Sequence, residues 1–223
     1  MLLMPLLMTV PILAIPDTEM PASARGAILA FAPAFMAWMA ASLTSADICY
    51  DGSALGTQIV IGTSGRDDRF GRALSFLVVF GPLQVALVLG FVAWSSRWDL
   101  LPGTVGMAAA LMLSGVGVGS WASSIWQYAQ PPPGGNMAAR GASGGVTGLI
   151  SAMFGLFVPL LLAAPTMAAA IAGAALDRWW LQLVALVVGA ATGLGVLAWG
   201  VHSGGRRLDA KWPEVLERVT WKG

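Results

Sequence analysis

The sequence has few of the residues that usually build a catalytic or metal site. Cys49 is the single cysteine and His202 the single histidine among 223 residues. One cysteine excludes an intramolecular disulfide framework and a cysteine metal cluster, and one histidine excludes a histidine-based metal site within one chain. The two lysines, Lys211 and Lys222, lie near the C-terminus, and no Gly-x-x-x-x-Gly-Lys-Ser/Thr motif occurs. The chain therefore does not bind ATP through a Walker A loop.

Charged residues are also scarce. They make up 10% of the chain, whereas 57% of its residues are hydrophobic. Soluble domains typically carry about 25% charged residues. A net charge of +1 argues against a nucleic-acid partner. Long uncharged apolar runs recur along the chain, which indicates a polytopic membrane protein.

The apolar runs predict an all-α membrane protein with six transmembrane helices. We place the spans at residues 1–15, 26–46, 73–94, 101–126, 146–164 and 180–201. Together they form one transmembrane domain, residues 1–202, which is followed by a polar tail, residues 203–223. Residues 165–178 either extend the fifth helix or re-enter the membrane as a half-helix.

The first apolar run is short for a span. Fifteen residues of helix rise about 22 Å, less than the roughly 30 Å of a bilayer core. A signal peptide is a poor interpretation, because no basic residue precedes the run. We expect the chain to begin inside a span, as a fragment or an unusually short variant.

The predicted spans contain no charged residue. Proton relays and ion-coupled carriers usually need acids or bases within the membrane, so their absence disfavours these functions. Serines occur in the fourth span, but no histidine or lysine is placed to activate one as a nucleophile. We expect these serines to hydrogen-bond to helix carbonyls instead: Ser114, Ser120, Ser123 and Ser124.

Two pairs of glycines, each four residues apart, lie in the predicted spans. Gly115 with Gly119 and Gly189 with Gly193 are small-xxx-small pairs, which allow two helix backbones to approach closely. Packing within the chain is the interpretation we favour, and a subunit interface is the alternative.

Basic residues are distributed unevenly between the two sides of the predicted topology. Six spans place both chain ends on one side, together with the loop after the second span and the proline-rich loop at residues 127–145. That side carries nine Lys or Arg residues, and the other carries three: Arg25, Arg97 and Arg178. By the positive-inside rule the richer side is cytoplasmic. We therefore predict a multi-pass protein of the plasma (inner) membrane with both ends in the cytoplasm.

The stretch from Asp47 to Arg72 is rich in charge. It holds four of the eleven acidic residues and three of the twelve basic residues. Gly52 tolerates a left-handed backbone, and the neighbouring Asp51 and Ser53 accept bonds from free N–H groups. This turn can therefore end one helix and cap another.

A short helix is predicted after that turn. Leu55 and Ile59 are four residues apart and lie on one helical face, and Ser64 with Asp67 forms a capping-box variant at the start of the next helix. We interpret the segment as a short amphipathic helix between spans two and three that transmits force from a soluble partner. An ordinary polar loop is the alternative.

The tail also has an amphipathic pattern. Trp212, Val215, Leu216 and Val219 share one helical face. The bases of the tail would favour anionic headgroups, which suggests a helix on the membrane surface. An inert solvated end is the alternative.

Two stretches resemble the permease subunits of ATP-binding-cassette (ABC) exporters of the type 2 class, especially actinobacterial ones. The first joins Tyr50-Asp51-Gly52-Ser53 to Gly65-Arg66-Asp67-Asp68-Arg69-Phe70-Gly71-Arg72, and the second is Pro131-Pro132-Pro133-Gly134-Gly135-Asn136. The resemblance covers most of the chain from about residue 26. The resemblance fails at the start of the sequence. The family has an amphipathic helix before its first span, and no such helix precedes the first apolar run here.

The resemblance implies a coupling helix that docks on a cytoplasmic ABC ATPase, a re-entrant segment between spans five and six, and a second six-span unit, either fused or as a partner. ATP would be hydrolysed by the partner chain, with no cofactor bound here. The coupling residues we predict are Asp51, Leu55, Ile59, Arg66, Asp67 and Arg69.

Within this set, Leu55 and Ile59 would supply the apolar knob and the charged residues would fix its angle. We expect charge exchange at Arg66 or Arg69 to have a smaller effect, because exposed ion pairs contribute only about 0–1 kcal/mol. The alternative function is that of a non-transporting membrane scaffold or assembly subunit.

Overall fold

The computed structural model describes residues 22–52, 54–130 and 144–220. Within these ranges the chain is helical and contains no β-strand. The helices are α1 (Ala22–Ser42), α2 (Ala54–Val60), α3 (Gly65–Ser95), α4 (Leu101–Ala122), α5 (Gly145–Ala175) and α6 (Trp179–Val219). A 3₁₀ segment (Leu43–Tyr50) extends α1, and a 3₁₀ turn (Trp98–Leu100) precedes α4.

Five helices of the described ranges are long and apolar enough to cross a membrane: α1 with its 3₁₀ extension, α3, α4, α5 and α6. The all-helical fold class is confirmed. Five spans rather than six are present in the described ranges, and they correspond to predicted spans two to six. The predicted first span, residues 1–15, lies outside these ranges.

Helix α4 is the centre of the bundle. Most of its residues are buried, and it packs against α6, α1, α5 and α3. Glycine permits the closest of these contacts. A Cβ at Gly117 would overlap the carbonyl group of Val196, and a Cβ at Gly200 would overlap the backbone of Gly117. The backbones of α4 and α6 are therefore in direct contact.

Both predicted glycine pairs pack within the chain. Gly115 and Gly119 lie against α1 and its 3₁₀ extension. Gly189 contacts Gly106, and a Cβ at Gly193 would stand 2.7 Å from the carbonyl oxygen of Ala109. The interpretation of these pairs as intramolecular packing sites is confirmed.

Helix α5 runs without interruption through Pro159 and Pro165 to Ala175. The extension of the fifth helix is therefore confirmed, and the re-entrant segment implied by the family resemblance is wrong. The physical reason is the packing of small residues. Ala163 and Ala170 are fully buried in the main apolar core, and Gln182 of α6 donates a 2.9 Å hydrogen bond to the carbonyl oxygen of Ala170.

Helix α6 continues beyond the predicted end of the sixth span at residue 201 and beyond residue 203, where we placed the start of the tail. It reaches Val219 with one non-helical residue, Lys211, at φ −138° and ψ 19°. Pro213 lies just after this kink and explains it, because the proline ring is incompatible with a regular helix interior. The residues after Lys211 are called the tail helix below.

The five long helices alternate in direction, so their ends form two groups. We call the end where α1 stops and α3 starts the Arg69 end, and the other the Trp98 end. The described basic residues at the Arg69 end outnumber those at the Trp98 end: Arg66, Arg69, Arg72, Arg206, Arg207, Lys211 and Arg218 against Arg25, Arg97 and Arg178. At least half of each of four tryptophan side chains is exposed at the Trp98 end, as is typical of a membrane interface: Trp94, Trp98, Trp179 and Trp180.

Candidate functional site

A buried ion cluster joins several elements at the Arg69 end. Arg69 lies one turn into α3 and is the largest fully buried side chain of the described ranges. Its Nη1 donates to Asp47 Oδ1 at 3.1 Å and to Ser123 Oγ at 2.7 Å. Its Nε and Nη2 both donate to Asp68 Oδ2, at 2.9 Å and 2.5 Å. The guanidinium thus connects the 3₁₀ extension of α1 with α3 and the end of α4.

Arg72 extends this cluster to the turn before α2. Its Nε donates to Asp68 Oδ1 at 2.9 Å, one helical turn away, and its Nη2 pairs with Asp51. Asp68 therefore bridges the two guanidinium groups. We call these five residues with Ser123 the Arg69 cluster: Asp47, Asp51, Asp68, Arg69 and Arg72.

The burial of Arg69 changes how much its ion pairs contribute to the stability of the protein. An exposed pair contributes little, but a buried charge that loses its partner is strongly destabilising, by about 3–5 kcal/mol. Arg69 has no exposed surface, and Asp68 is also buried. The expectation that Arg69 forms weak, exposed pairs is therefore wrong, whereas Arg66 is exposed as that expectation requires.

The start of α3 is fixed by two caps. Ser64 is the N-cap residue, and its Oγ accepts a 3.1 Å bond from the backbone N of Asp67, which confirms the capping-box prediction. Asp209 of α6 accepts a 2.5 Å bond from the backbone N of Gly65 through its Oδ1. Backbone contact between Gly65 and Gly205 brings α3 and α6 close enough for this second cap.

The predicted short helix is present as α2, and its apolar face packs against the tail helix. Leu55 is fully buried in a cluster that also contains Ile48 and residues of α6, and Ile59 packs against the same cluster. The α6 members are Leu208, Trp212, Val215 and Val219. The predicted apolar face of the tail is thus covered by α2 and the end of α1, rather than by solvent.

The other surface of α2 and the loop after it is exposed. Val60 and Ile61 have 87% and 73% of their side-chain surface accessible. Arg66 and Asp67 follow on the exposed side of the first turn of α3. Two adjacent apolar side chains therefore project from the Arg69 end.

The structure separates the six predicted coupling residues into three groups. Asp51 and Arg69 belong to the ion cluster, and Leu55 and Ile59 pack on the tail helix. Arg66 and Asp67 are exposed. Sequence reasoning missed the other members of the cluster and the second cap: Asp47, Asp68, Arg72, Ser123 and Asp209. The four-residue spacing of an acid and a base at Asp68 and Arg72 was the available signal.

Residues after α4 complete this end of the bundle. The backbone N of Tyr128 lies 3.4 Å from Cys49 Sγ, which is buried. Burial raises the pKa of the Tyr128 phenol. Gln127 donates a 2.9 Å bond to the carbonyl oxygen of Ser123, and its Oε1 faces Arg218 of the tail helix at 3.5 Å. The tail helix therefore contacts the segment after α4 as well as α2.

Comparisons with known proteins identify no family for this chain. The sequence matches no protein-family model, no curated protein and no solved structure.

Proposed function

We propose that this chain is a permease subunit of an ABC exporter and that α2 is the helix that couples it to a separate cytoplasmic ATPase. In this proposal the Arg69 end is cytoplasmic, as the excess of basic residues there favours. The observation that carries the proposal is a short helix with an exposed apolar tip, Val60 and Ile61, mounted beside a buried ion cluster.

The ion cluster supports a mechanical role for α2. A moving partner can displace membrane helices only if the element it contacts is held firmly to them. Asp51 lies in the turn before α2, and its pair with Arg72 links that turn to α3. Arg69 then links α3 to α1 through Asp47 and to α4 through Ser123. A push on α2 would therefore reach three long helices.

We propose different roles for the predicted coupling residues, in line with their burial. In the proposal, Val60 and Ile61 enter a groove of the ATPase, with Arg66 and Asp67 at the rim of that contact. Leu55 and Ile59 hold α2 against the tail helix instead of entering the partner directly. Apolar side chains that become buried contribute about 1.5–3 kcal/mol each, so these two residues would supply a substantial part of the contact energy.

Transport would require a second membrane unit. The centre of the described bundle is filled by α4 and its glycine contacts. We place the substrate path between two such units, which would pack through exposed apolar surfaces of the long helices. Helix α3 offers one such surface: Leu74, Val78, Val79, Val85 and Leu89.

Copurification with an ATP-hydrolysing subunit tests the proposed class. The affinity-tagged chain would be isolated from membranes of its native host, and vanadate-sensitive ATP hydrolysis would be measured in the isolate. A permease subunit brings this activity with it, although it has no Walker A motif of its own. Isolation of the chain in a stable membrane complex without ATP hydrolysis would instead support the scaffold function.

A further inference from the structure

A groove opens beside the ion cluster, between the 3₁₀ extension of α1, the helix α2 and the first half of α3. Its volume is about 700 Å³, which lies within the range of roughly 300–1,000 Å³ found for small-molecule sites. Its lining divides into a polar part near the Arg69 end and an apolar part further along α3. The apolar part is formed by Leu43, Phe76 and Phe80.

The polar part of the groove carries an excess of negative charge. Four carboxylates line it: Asp47, Asp51, Asp67 and Asp68. Arg72 is the guanidinium in the lining, and Arg69 lies fully buried behind it. The two guanidinium groups neutralise two of the four carboxylates, so a net charge of −2 remains. Arg66 does not belong to the lining. A cation is therefore favoured in this part of the groove and an anion is disfavoured.

Two further features of the lining suit an ammonium group on an apolar chain. Phe76 and Phe80 stack with ring centroids 4.5 Å apart, and their large apolar surfaces suit packing by an alkyl chain. Gln58 also lines the groove and adds a polar amide group to its polar part.

The two parts of the groove are separated along the helix axis. From Asp68 to Phe80 the helix rises about 18 Å at 1.5 Å per residue. A ligand that spans both parts needs a charged head and an apolar body of comparable length. A zwitterionic lipid fits less well, because its phosphate would lie close to the same carboxylates.

We propose that this groove binds an amphipathic organic cation, an alkylammonium, with its head among the carboxylates and its chain against Phe76 and Phe80. In an exporter this would be the site where substrate enters from the cytoplasmic leaflet. That assignment as substrate rests on the proposed function, whereas the binding itself does not.

Photolabelling of the full chain in phosphatidylcholine nanodiscs tests the proposal. The probes are a dodecylammonium with a photoreactive diazirine on its chain, a dodecylsulfonate and a dodecanol with the same diazirine. We expect the ammonium probe to label peptides within residues 43–80 saturably, with competition from unlabelled dodecylammonium. The sulfonate and alcohol probes give only the weak, non-saturable labelling expected of lipid-exposed helices.

Two glycines of α3 provide matched variants. A Cβ at Gly71 or at Gly90 would meet no atom within 4 Å, so the space around both positions is open to a side chain. Gly71 lines the groove and Gly90 does not. Gly71→Trp should weaken saturable labelling by about tenfold, equivalent to about 1.4 kcal/mol, and Gly90→Trp should leave it unchanged.

A charge variant tests the electrostatic part separately. Asp67→Asn removes one lining charge and keeps an oxygen for the contact with Ser64 Oγ. We expect saturable labelling by the ammonium probe to weaken about fivefold, as for the loss of one exposed charge at the rim. Labelling by the alcohol probe should not change.

Several results would overturn the proposal. These are equal saturable labelling by the sulfonate or the alcohol, wild-type labelling of Gly71→Trp, or complete competition by phosphatidylethanolamine, which would make a lipid headgroup the occupant. The assay needs no ATPase. Discriminating labelling without a copurifying ATPase would retain the cation site and reject the exporter, and the reverse combination would reject only the cation site.

Discussion

Arg69 on α3 donates a 2.7 Å hydrogen bond to Ser123 Oγ at the end of α4, across 54 positions of the sequence. This bond lies inside the cluster that also pairs Arg69 with Asp47 and Asp68. The contact places a permanently charged side chain at the junction of three membrane-sized helices. The cluster therefore connects the stability of the bundle to α2, the segment that we propose for coupling.

Replacement of Arg69 should therefore destabilise the protein. Arg69→Ala leaves the carboxylates of Asp47 and Asp68 without this partner, and we expect a loss of about 3–5 kcal/mol. Arg66→Ala is the control, because Arg66 is exposed on the same helical turn, and it should change stability by no more than about 0.5 kcal/mol. Thermal unfolding of the detergent-solubilised variants, followed by circular dichroism, measures the difference. Equal melting temperatures for the two variants would contradict the role of the cluster.

The glycine contact between α4 and α6 should be intolerant of side chains. Gly200→Leu forces a side chain into the backbone of Gly117, whereas a Cβ at Gly195 of the same helix meets no atom within 4 Å. We expect Gly200→Leu to separate the two helices and to yield little monodisperse protein. Gly195→Leu should behave as the wild type in size-exclusion chromatography. A well-folded Gly200→Leu variant would show that the close approach of α4 and α6 is not required.

The contact of α2 with the tail helix should depend on Leu55. Leu55→Ala removes a fully buried side chain from the cluster with Trp212 and Val215, and such truncations cost about 2–5 kcal/mol. The loss should appear locally, as faster trypsin cleavage after Lys211 and Arg218. Val60→Ala, at an exposed position, is the control and should leave the cleavage rate unchanged. Unaltered cleavage in Leu55→Ala would mean that the tail is held by other contacts.

The side of the membrane on which α2 lies can be read from thiol accessibility. Cys49 is buried, so a Cys49→Ala background removes the only native thiol, and Val60→Cys then introduces an exposed one. A membrane-impermeant maleimide should not label Val60→Cys in intact cells and should label it in inverted vesicles. Leu176→Cys, exposed at the Trp98 end, should give the opposite pattern. Labelling of Val60→Cys from outside the cell would reverse the proposed orientation.

Local patterns in the sequence predicted much of the fold. The apolar runs located the five long helices, and the spacing of Ser64 and Asp67 located the start of α3. The spacing of Gly189 and Gly193 marked a close helix contact. Each of these features depends on residues that are close together in the sequence, so the spacing of residue types is enough to predict it.

The candidate site could be predicted less completely, because the residues that contact each other there lie far apart in the sequence. The burial of Arg69 depends on Asp47 and Ser123, which belong to different helices. The apolar face of the tail was visible, but its partner Leu55 lies more than 150 positions earlier. The sequence left residues 165–178 open between a longer fifth helix and a re-entrant segment, and the family resemblance favoured the second. The buried Ala163 and Ala170 explain why the helix continues.

We propose that α2 couples this chain to an ATPase through Val60 and Ile61. The most direct measurement compares ATP hydrolysis by the copurified complex for wild type and for Val60→Asp with Ile61→Asp. Both side chains are exposed, so the double variant should insert and fold normally, whereas two carboxylates in an apolar groove of the ATPase carry a desolvation penalty. We expect the variant to lose the ATPase subunit or its stimulation by substrate, while Leu176→Asp, at an exposed apolar position of the Trp98 end, retains both. A double variant that keeps the ATPase bound and stimulated at the wild-type level would contradict the claim.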